Sequence, residues 1–480
     1  MKVTVALALC ITFSLPVAAQ HWRAMGRGTI GPSEVQTLYG DTVSDRLLAG
    51  GTFMWIMNDV DTLLGMGQAA WNGSRWDSIA TRIQPISGNF TTQQTHWFLR
   101  FQGDLYACGG FGFSAGEGIW NRGFARLNEG EMRWEPLECV NPTLSGLSTL
   151  VPKEPQNTLY ATGYKGSICG YPEQCVFRYD GSAFYEWEPF AQIPYRPGNY
   201  VGHVFDFRGK TYMSGSFRDP YSDGLVTFMR HNGTEWEYVP GWNTQSPIKE
   251  ISIRNDTLYV GGAFRYATNG PGDLIAYFDG EVWNDMGGGM NLVSNPSAAA
   301  VRNMEWHNGE LYVCGKLTRA GGIPVQGLAK WNGRQWCSLP GYFLADWYET
   351  DYISEVEFWR DTLYVCGGFT TVDGEPVIDV AQYLGGDAVQ QCSPALGLQE
   401  GKERVRLSAF PNPARERLQL GGLPPEAYQV RVQDVLGREV AFYPIRGNAL
   451  DVGDLTTGTY SIAVLDRQGA VLGTTRFVRE

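Results

Sequence analysis

The chain has 480 residues, of which 43% are hydrophobic, 13% aromatic and 18% charged, with a formal net charge of −12. That is enough apolar material for two domains. The acidic excess lies in the first 400 residues, and no basic cluster offsets it, which argues against nucleic acid and anionic membrane surfaces as partners.

Residues 1–19 read as a secretory signal peptide. Lys2 is the charged start, Val3 to Ala19 is mostly apolar, and Val17-Ala18-Ala19 offers a small-residue cleavage site before Gln20. Cys10 follows Leu9 inside the apolar run, which is the wrong place for a lipoprotein anchor. No later run is apolar for long enough to form a transmembrane helix.

A repeat then dominates the chain. LYVCGK (311–316) and LYVCGG (363–368) are near-identical. The same unit recurs as LLAGGTF (47–53), LYACGGF (105–111), LYATGYK (159–165), TYMSGSF (211–217) and LYVGGAF (258–264). The copies are anchored on Gly51, Gly109, Gly163, Gly215, Gly262, Gly315 and Gly367, which lie 47 to 58 residues apart. Each clear copy holds four short segments rich in Val, Tyr, Trp and Phe. Tight turns such as HNG, RND and FRG join the first two, and WNG, YDG and FDG the last two. Seven four-stranded units of this length predict an all-β fold, a seven-bladed β-propeller.

The last copy stops after its third strand, VAQYLGG (380–386). The mature start, HWRAMGRG, matches VWNDMGGG (282–289) of the fifth copy at Trp22/Trp283, Met25/Met286, Gly26/Gly287 and Gly28/Gly289. Residues 21–28 are therefore expected to supply the missing outer strand and close the ring, removing two exposed sheet edges. An eighth, broken blade is the alternative.

The repeat position also shows which residues are scaffold. Trp76, Trp134, Trp187, Trp236, Trp283 and Trp336 return once per unit in the fourth strand and are expected to pack between blades. Cys108, Cys314 and Cys366 share a position held elsewhere by Gly261 and Ser214, which wants a small buried side chain. Eight cysteines remain after the signal. Cys169 and Cys175 bracket a short loop and form the candidate disulfide; no other pairing is predicted.

Function is expected in what breaks the repeat. With strands running up and down, the two–three loops and the blade-to-blade connections gather on one face, and these are the long, unlike segments. Loops displayed by a rigid scaffold commonly carry binding residues. The binding-face candidates are Trp120, Arg122, Tyr195, Arg196, Arg218, Trp242, Asp346, Trp347 and Tyr348, with Trp55 and Tyr221 among the other non-recurring aromatics. Flat aromatics beside forked donors and carboxylates suit a glycan or a protein partner. The bland reading is that each braces its own loop.

No GxSxG elbow, P-loop or EF-hand pattern occurs, and the five histidines show no metal-ligand spacing. No catalytic residue, metal or cofactor is expected, and the balance leans away from an enzyme. Loop carboxylates acting on a polysaccharide remain the alternative, and a structural surface component the second.

After Cys392 the pattern changes. PALGLQEGKERV reads as a linker, assigned to 395–404, between a repeat region of 20–394 and a last unit of 405–480. Short alternating strands separated by Gly and Pro predict a small immunoglobulin-like β-sandwich there. FPNPA (410–414) is followed by Val432-Gln-Asp434-Val-Leu-Gly437-Arg438, then Leu455 with Gly458-Thr459-Tyr460, then a closing strand ending Phe477-Val478-Arg479. This order resembles the type A C-terminal sorting domain of type IX secretion cargo in Bacteroidetes, with Pro411, Asn412, Pro413, Gly437, Gly458 and Tyr460 as its motif residues. The resemblance implies Sec export, passage through the type IX machinery and removal by a surface sortase, followed by release or surface attachment. More loosely, the repeat is similar to kelch-like and galactose-oxidase-type propeller repeats, which implies a fold and no activity.

Overall fold

The computed structural model describes residues 21–30, 34–81, 94–115, 119–137, 147–153, 158–166, 174–194, 198–242, 244, 246–265, 272–345, 353–386, 388–393, 407–434, 439–445, 447–465 and 471–480. The expected signal segment, 1–19, and the expected linker, 395–404, lie outside them. Among the described residues the regular structure is almost entirely strand, divided among many small antiparallel sheets, with one short α-helix at Glu188–Ala191.

Repeats one to six each build four strands that pair in chain order, and the seventh builds three. Sheet one runs Val35–Asp41, Arg46–Gly51, Gln68–Trp71, Trp76–Asp77. The first strands of sheets two to seven are Gln94–Phe101, Leu147–Lys153, Tyr200–Phe207, Ile248–Arg254, Ala300–His307 and Ile353–Trp359. Sheets three and four are joined into one eight-stranded sheet through the pair Tyr164–Tyr200. The first strands adjoin one another in sequence, and that of sheet seven returns to pack against that of sheet one.

Local chemistry accounts for the turns. In sheets two, four, five, six and seven, strands one and two are joined by two-residue hairpins in which both central residues have positive φ: Gln102-Gly103, Arg208-Gly209, Asn255-Asp256, Asn308-Gly309 and Arg360-Asp361. Such turns match the right-handed twist of the flanking strands.

The repeat glycines have a more specific cause. In all seven first strands the register with the second strand slips by one residue, between Val35 and Thr37, Thr95 and Trp97, Leu147 and Thr149, Val201 and His203, Ile248 and Glu250, Val301 and Asn303, and Ile353 and Glu355. The residue before each slip faces the repeat glycine, as Val301 faces Gly315. A Cβ on Gly51, Gly109, Gly215 or Gly315 would run into the carbonyl oxygen of Glu34, Gln94, Tyr200 or Ala300 respectively. The glycine is thus the space that the bulge requires.

The N-terminus pairs where the sequence places it, over a shorter span. Trp22–Ala24 lies antiparallel to Val380–Tyr383, with Trp22 opposite Tyr383, and is the fourth strand of sheet seven. The expected strand of 21–28 ends at Ala24, because Gly26 and Gly28 turn the chain with φ of 74° and 87°. Gly28–Ile30 then pairs with Trp55–Met57, which pairs with Thr62–Leu64, in a separate small sheet.

Two more such sheets appear, where Met290–Asn291 pairs with the hairpin of Arg319–Ala320 and Ile323–Pro324, and Phe343–Leu344 with that of Thr371–Val372 and Glu375–Pro376. In each case a two–three loop hydrogen-bonds to an inter-repeat connection, so these segments share one end of their sheets. What reads as loop in the sequence is, in these three repeats, a supplementary hairpin.

Cys337 and Cys392 form a disulfide, a pairing the sequence reading did not anticipate. Gln391–Cys392 adds a fifth strand to sheet six, opposite Cys337 and Ser338. After finishing sheet seven, the chain is thereby tied back to its neighbour. Cys108, Cys314 and Cys366 are fully buried, as their repeat position requires.

The last unit has two antiparallel sheets. One orders Ser408–Phe410, Arg417–Gly421, Ala449–Asp451; the other Glu439–Pro444, Gln429–Gln433, Gly458–Leu465, Val471–Arg479. They share a core of Leu418, Leu420, Val430, Val432, Leu450, Tyr460, Ile462, Val464 and Phe477.

Candidate functional site

The end that carries the supplementary hairpins holds an exposed apolar row. Trp55 stands between Ile30 and Leu64 in the register of its small sheet, and all three are substantially exposed, at 36%, 44% and 46%. Val60, at the tip of the same hairpin, is 90% exposed. Directly opposite residues on one face of antiparallel strands touch, so these side chains form one patch.

The sequence-predicted candidates are placed unequally. Tyr195, Arg196, Asp346, Trp347 and Tyr348 lie outside the described residues. Trp120 and Arg122 sit in the strand Ile119–Asn128, opposite Ser114 and Gly112, with side chains outside the description. Arg218 closes the second strand of sheet four and pairs with Asp223.

Trp242 is committed to packing. Its indole nitrogen donates to Thr227 Oγ1 at 3.1 Å, and its ring lies 5.4 Å from Phe228, 5.1 Å from Phe264 and 5.0 Å from Trp283. For this residue the bracing role outweighs the binding one. Cys175 is buried, with Sγ 3.4 Å from the Asn199 carbonyl oxygen; Cys169 lies outside the described residues.

A second site was not anticipated. A cavity of about 480 Å³ opens where the first strands converge, lined by those of sheets one, two, four, five, six and seven. The residue following each bulge faces it: Thr37, Trp97, His203, Glu250, Asn303 and Glu355. Two positions on, Tyr39, Leu99, Phe205, Ser252, Glu305 and Glu357 form a second layer. Four carboxyl groups thus share one chamber whose described lining contains no Lys or Arg.

Three of these acids accept hydrogen bonds from backbone and side chains. Glu250 accepts the Ile251 N–H at 3.0 Å and a bond from the Asn303 side chain, Glu355 the Leu38 N–H at 3.2 Å and a bond from the Thr37 side chain, and Glu357 the Phe358 N–H at 3.1 Å and a bond from the Gly40 backbone. Burial pushes Glu250 up to about 8, with the charge of Glu305 adding to it, and burial alone takes Glu305 to about 7. Glu357 rises to about 8 through burial and Glu305, and Glu355 is raised well above the carboxylate range by burial. His203 is lowered to about 4 by burial and by the charge of Lys249; its Nδ1 lies 3.3 Å from Ser214 Oγ. Near neutral pH Glu250, Glu355 and Glu357 are therefore mainly protonated, Glu305 is about half ionised and the imidazole is neutral.

The signal for this site was present. ISEVEFW (353–359) places two glutamates on one side of a strand that should be innermost, and KEISIR and MEW add the others. An inner strand with alternating acids is a conflict that only a shared polar chamber resolves. Among the described residues, no group of three His, Cys, Asp or Glu is placed to hold a metal ion.

The C-terminal unit has its own built feature. Asn412 Oδ1 accepts the Val478 N–H at 2.9 Å, and its Nδ2 donates to the Arg476 carbonyl at 3.3 Å, pinning the PNP segment to the last strand. Tyr460, in the strand that begins at Gly458, donates to the Thr456 carbonyl at 2.7 Å and stacks on Phe477 at 5.5 Å. Gly437 lies outside the described residues. Residues 408–477 match the family described as the secretion system C-terminal sorting domain. The sorting domain implies handling by the type IX machinery and export to the outer surface or beyond. No helix among the described residues is long and apolar enough to cross a membrane.

A comparison with curated proteins found no match. Among solved structures, the chain is similar to the extracellular domain of the putative one component system BT4673 from B. thetaiotaomicron, at 11% identity and a TM-score of 0.30, over 93% of this chain and 68% of that one. It is similar to the extracellular domain of the putative hybrid two component system BT3049 from the same organism, at 10% identity and a TM-score of 0.30, over 93% and 72%. It is also similar to PorZ of Porphyromonas gingivalis, a surface component of the type-IX secretion system, at 10% identity and a TM-score of 0.20, over 96% and 85%. Likeness at that level carries no argument about function.

Proposed function

We propose that this is a secreted or cell-surface binding protein, exported by type IX secretion, that meets a glycan or protein partner at the end carrying the supplementary hairpins. In this reading residues 1–19 are the signal peptide and residues 20–394 form a seven-bladed β-propeller closed by the N-terminal strand. Residues 395–404 are a linker, and 405–480 an immunoglobulin-like sorting domain cut by a surface sortase. The cyclic order in which the first strands adjoin supports the propeller.

One observation carries the binding reading: the exposed row Ile30–Trp55–Leu64, held by backbone pairing on three short strands. A contiguous apolar patch kept in water by a rigid support marks an interaction surface. Its aliphatic flanks favour a protein partner over a glycan. Trp120, Arg122, Tyr195, Arg196, Asp346, Trp347 and Tyr348 remain candidates, whereas Arg218 and Trp242 are engaged within the chain.

The test uses the purified secreted chain on a glycan array and in pull-downs of surface proteins, with Trp55→Ala alongside. A ligand bound equally by both proteins removes this face from consideration. Turnover of a polysaccharide with no binding partner would instead favour the enzyme reading.

A further inference from the structure

We propose that the cavity between the first strands is a pH-responsive joint: protonated glutamates let the first strands of sheets five, six and seven close on one another, and their ionisation loosens that closure. The argument starts from placement. Glu250, Glu305 and the pair Glu355 and Glu357 stand on three consecutive first strands that adjoin one another and face one chamber.

The surroundings supply neutral hydrogen bonds, from Asn303 to Glu250, Thr37 to Glu355 and the Gly40 backbone to Glu357, but no cation in the described lining. Sheet four presents His203, whose protonation burial opposes; sheet one presents Thr37 and Tyr39, and sheet two Trp97. Cys314 and Cys366, on the second strands of sheets six and seven, are buried thiols whose burial holds them protonated. Two cations, Lys249 and Arg302, sit at the bulges of sheets five and six outside the described lining, and Lys249 is itself lowered by burial and by Arg302. Successive ionisations must therefore crowd negative charges into one chamber, each opposing the next.

The sign follows from linkage. These carboxyls are raised in the folded protein, toward about 7 to 8 for Glu250, Glu305 and Glu357, against roughly 4.3 in the unfolded chain. Their contribution to stability is complete below the unfolded value and is lost as pH rises through the folded ones. Loosening is thus expected across neutral to mildly alkaline pH, first at the junctions of sheets five, six and seven.

The experiment compares the mature secreted chain with its E250Q/E305Q/E355Q/E357Q variant, both carrying Asp379→Asn. Burial raises Asp379 to about 8, so it titrates in the same window. Between pH 6 and pH 9 the melting midpoint of the chain with its glutamates is expected to fall by about 5 °C more than that of the glutamine variant. Parallel curves overturn the proposal. Hydrogen exchange on the unsubstituted chain provides a second readout that needs no variant to fold. After correction for intrinsic rates, protection of 248–254, 300–307 and 353–359 should fall at least threefold more than that of 200–207 over the same range. Uniform change across these strands also overturns it.

Discussion

The indole nitrogen of Trp22 donates to the carbonyl oxygen of Pro340 at 2.6 Å, joining the N-terminal strand of sheet seven to the end of sheet six. The same bond recurs between neighbouring sheets: Trp76 to Met25 at 2.7 Å, Trp236 to Pro189 at 2.8 Å, Trp283 to Pro240 at 3.0 Å, and Trp336 to Met286. In each, the fourth-strand tryptophan reaches the chain just past the preceding fourth strand. Trp22 therefore occupies, from the far end of the sequence, the position its repeat lacks.

Trp22→Ala should be among the costliest single changes. The side chain is 1% exposed and lies 5.1 Å from Phe343 and 4.7 Å from Tyr383. A loss of about 4 kcal/mol is expected from the cavity and the lost bond, read as a shift of the urea midpoint. A change below about 1 kcal/mol would mean that the N-terminal strand does not hold sheet seven.

Gly315→Ala should destabilise by about 3 kcal/mol, because the obstruction is a backbone carbonyl that cannot swing aside. Gly322→Ala is the comparison: nothing lies near its Cβ, and only its φ of +82° is unfavourable, at about 1 kcal/mol. Equal costs would show that the bulge does not require glycine.

The disulfide closes a loop of sequence separation 55, and replacing both Cys337 and Cys392 by Ser should cost about 4 kcal/mol by the chain-entropy estimate. Non-reducing peptide mapping should recover the 337–392 link. Recovery of Cys337 or Cys392 joined to Cys169 or Cys175 would contradict the structure.

Asp41 sets an acid limb. Burial raises its pKa, but the hydrogen bonds from Arg100 and Ser44 outweigh this and leave it lowered. Arg100 reaches it at 3.0 and 2.7 Å and also lies 2.7 Å from Glu129. A lowered folded pKa gives stability that is present above the unfolded value of about 3.9 and lost as pH falls through the folded one. Arg100→Ala should cost about 3 kcal/mol at pH 7. Asp41→Asn should flatten the stability profile below pH 4; an unchanged acid limb would place its origin elsewhere.

In the sorting domain, Asn412→Ala removes both bonds to the last strand and should cost about 1 kcal/mol there. The expected readouts are faster hydrogen exchange over 471–480 and a lower fraction of chain reaching the outside of the cell. Arg415→Ala, which breaks an exposed pair to Glu480 at 3.4 Å, should do neither.

Much of the fold was legible because its causes are local. Turns such as Asn308-Gly309 and Asn255-Asp256 need positive φ, and the LYVCGG glycines need absent side chains, so the turns are written in several repeats and the glycine in all seven. Matching Trp22 to Trp283 found the closing strand, since the two make the same inter-sheet bond. The candidate site was less legible. Trp242 looked free because it does not recur, yet it fills space between Phe228, Phe264 and Trp283. Trp55 gained weight only when Ile30 and Leu64, distant or unremarkable in the sequence, were seen to flank it.

By itself, then, the sequence determined the strands, their order within each repeat, the scaffold role of most tryptophans and glycines, and the sorting domain, all matters of period and spacing. The tertiary structure decided what lies between repeats. It tied Cys337 to Cys392, paired loops with connections into small sheets, and gathered Glu250, Glu305, Glu355 and Glu357 into one chamber. The repeat places these glutamates at related positions of successive first strands, but that the strands meet around one chamber is decided only when the sheets come together.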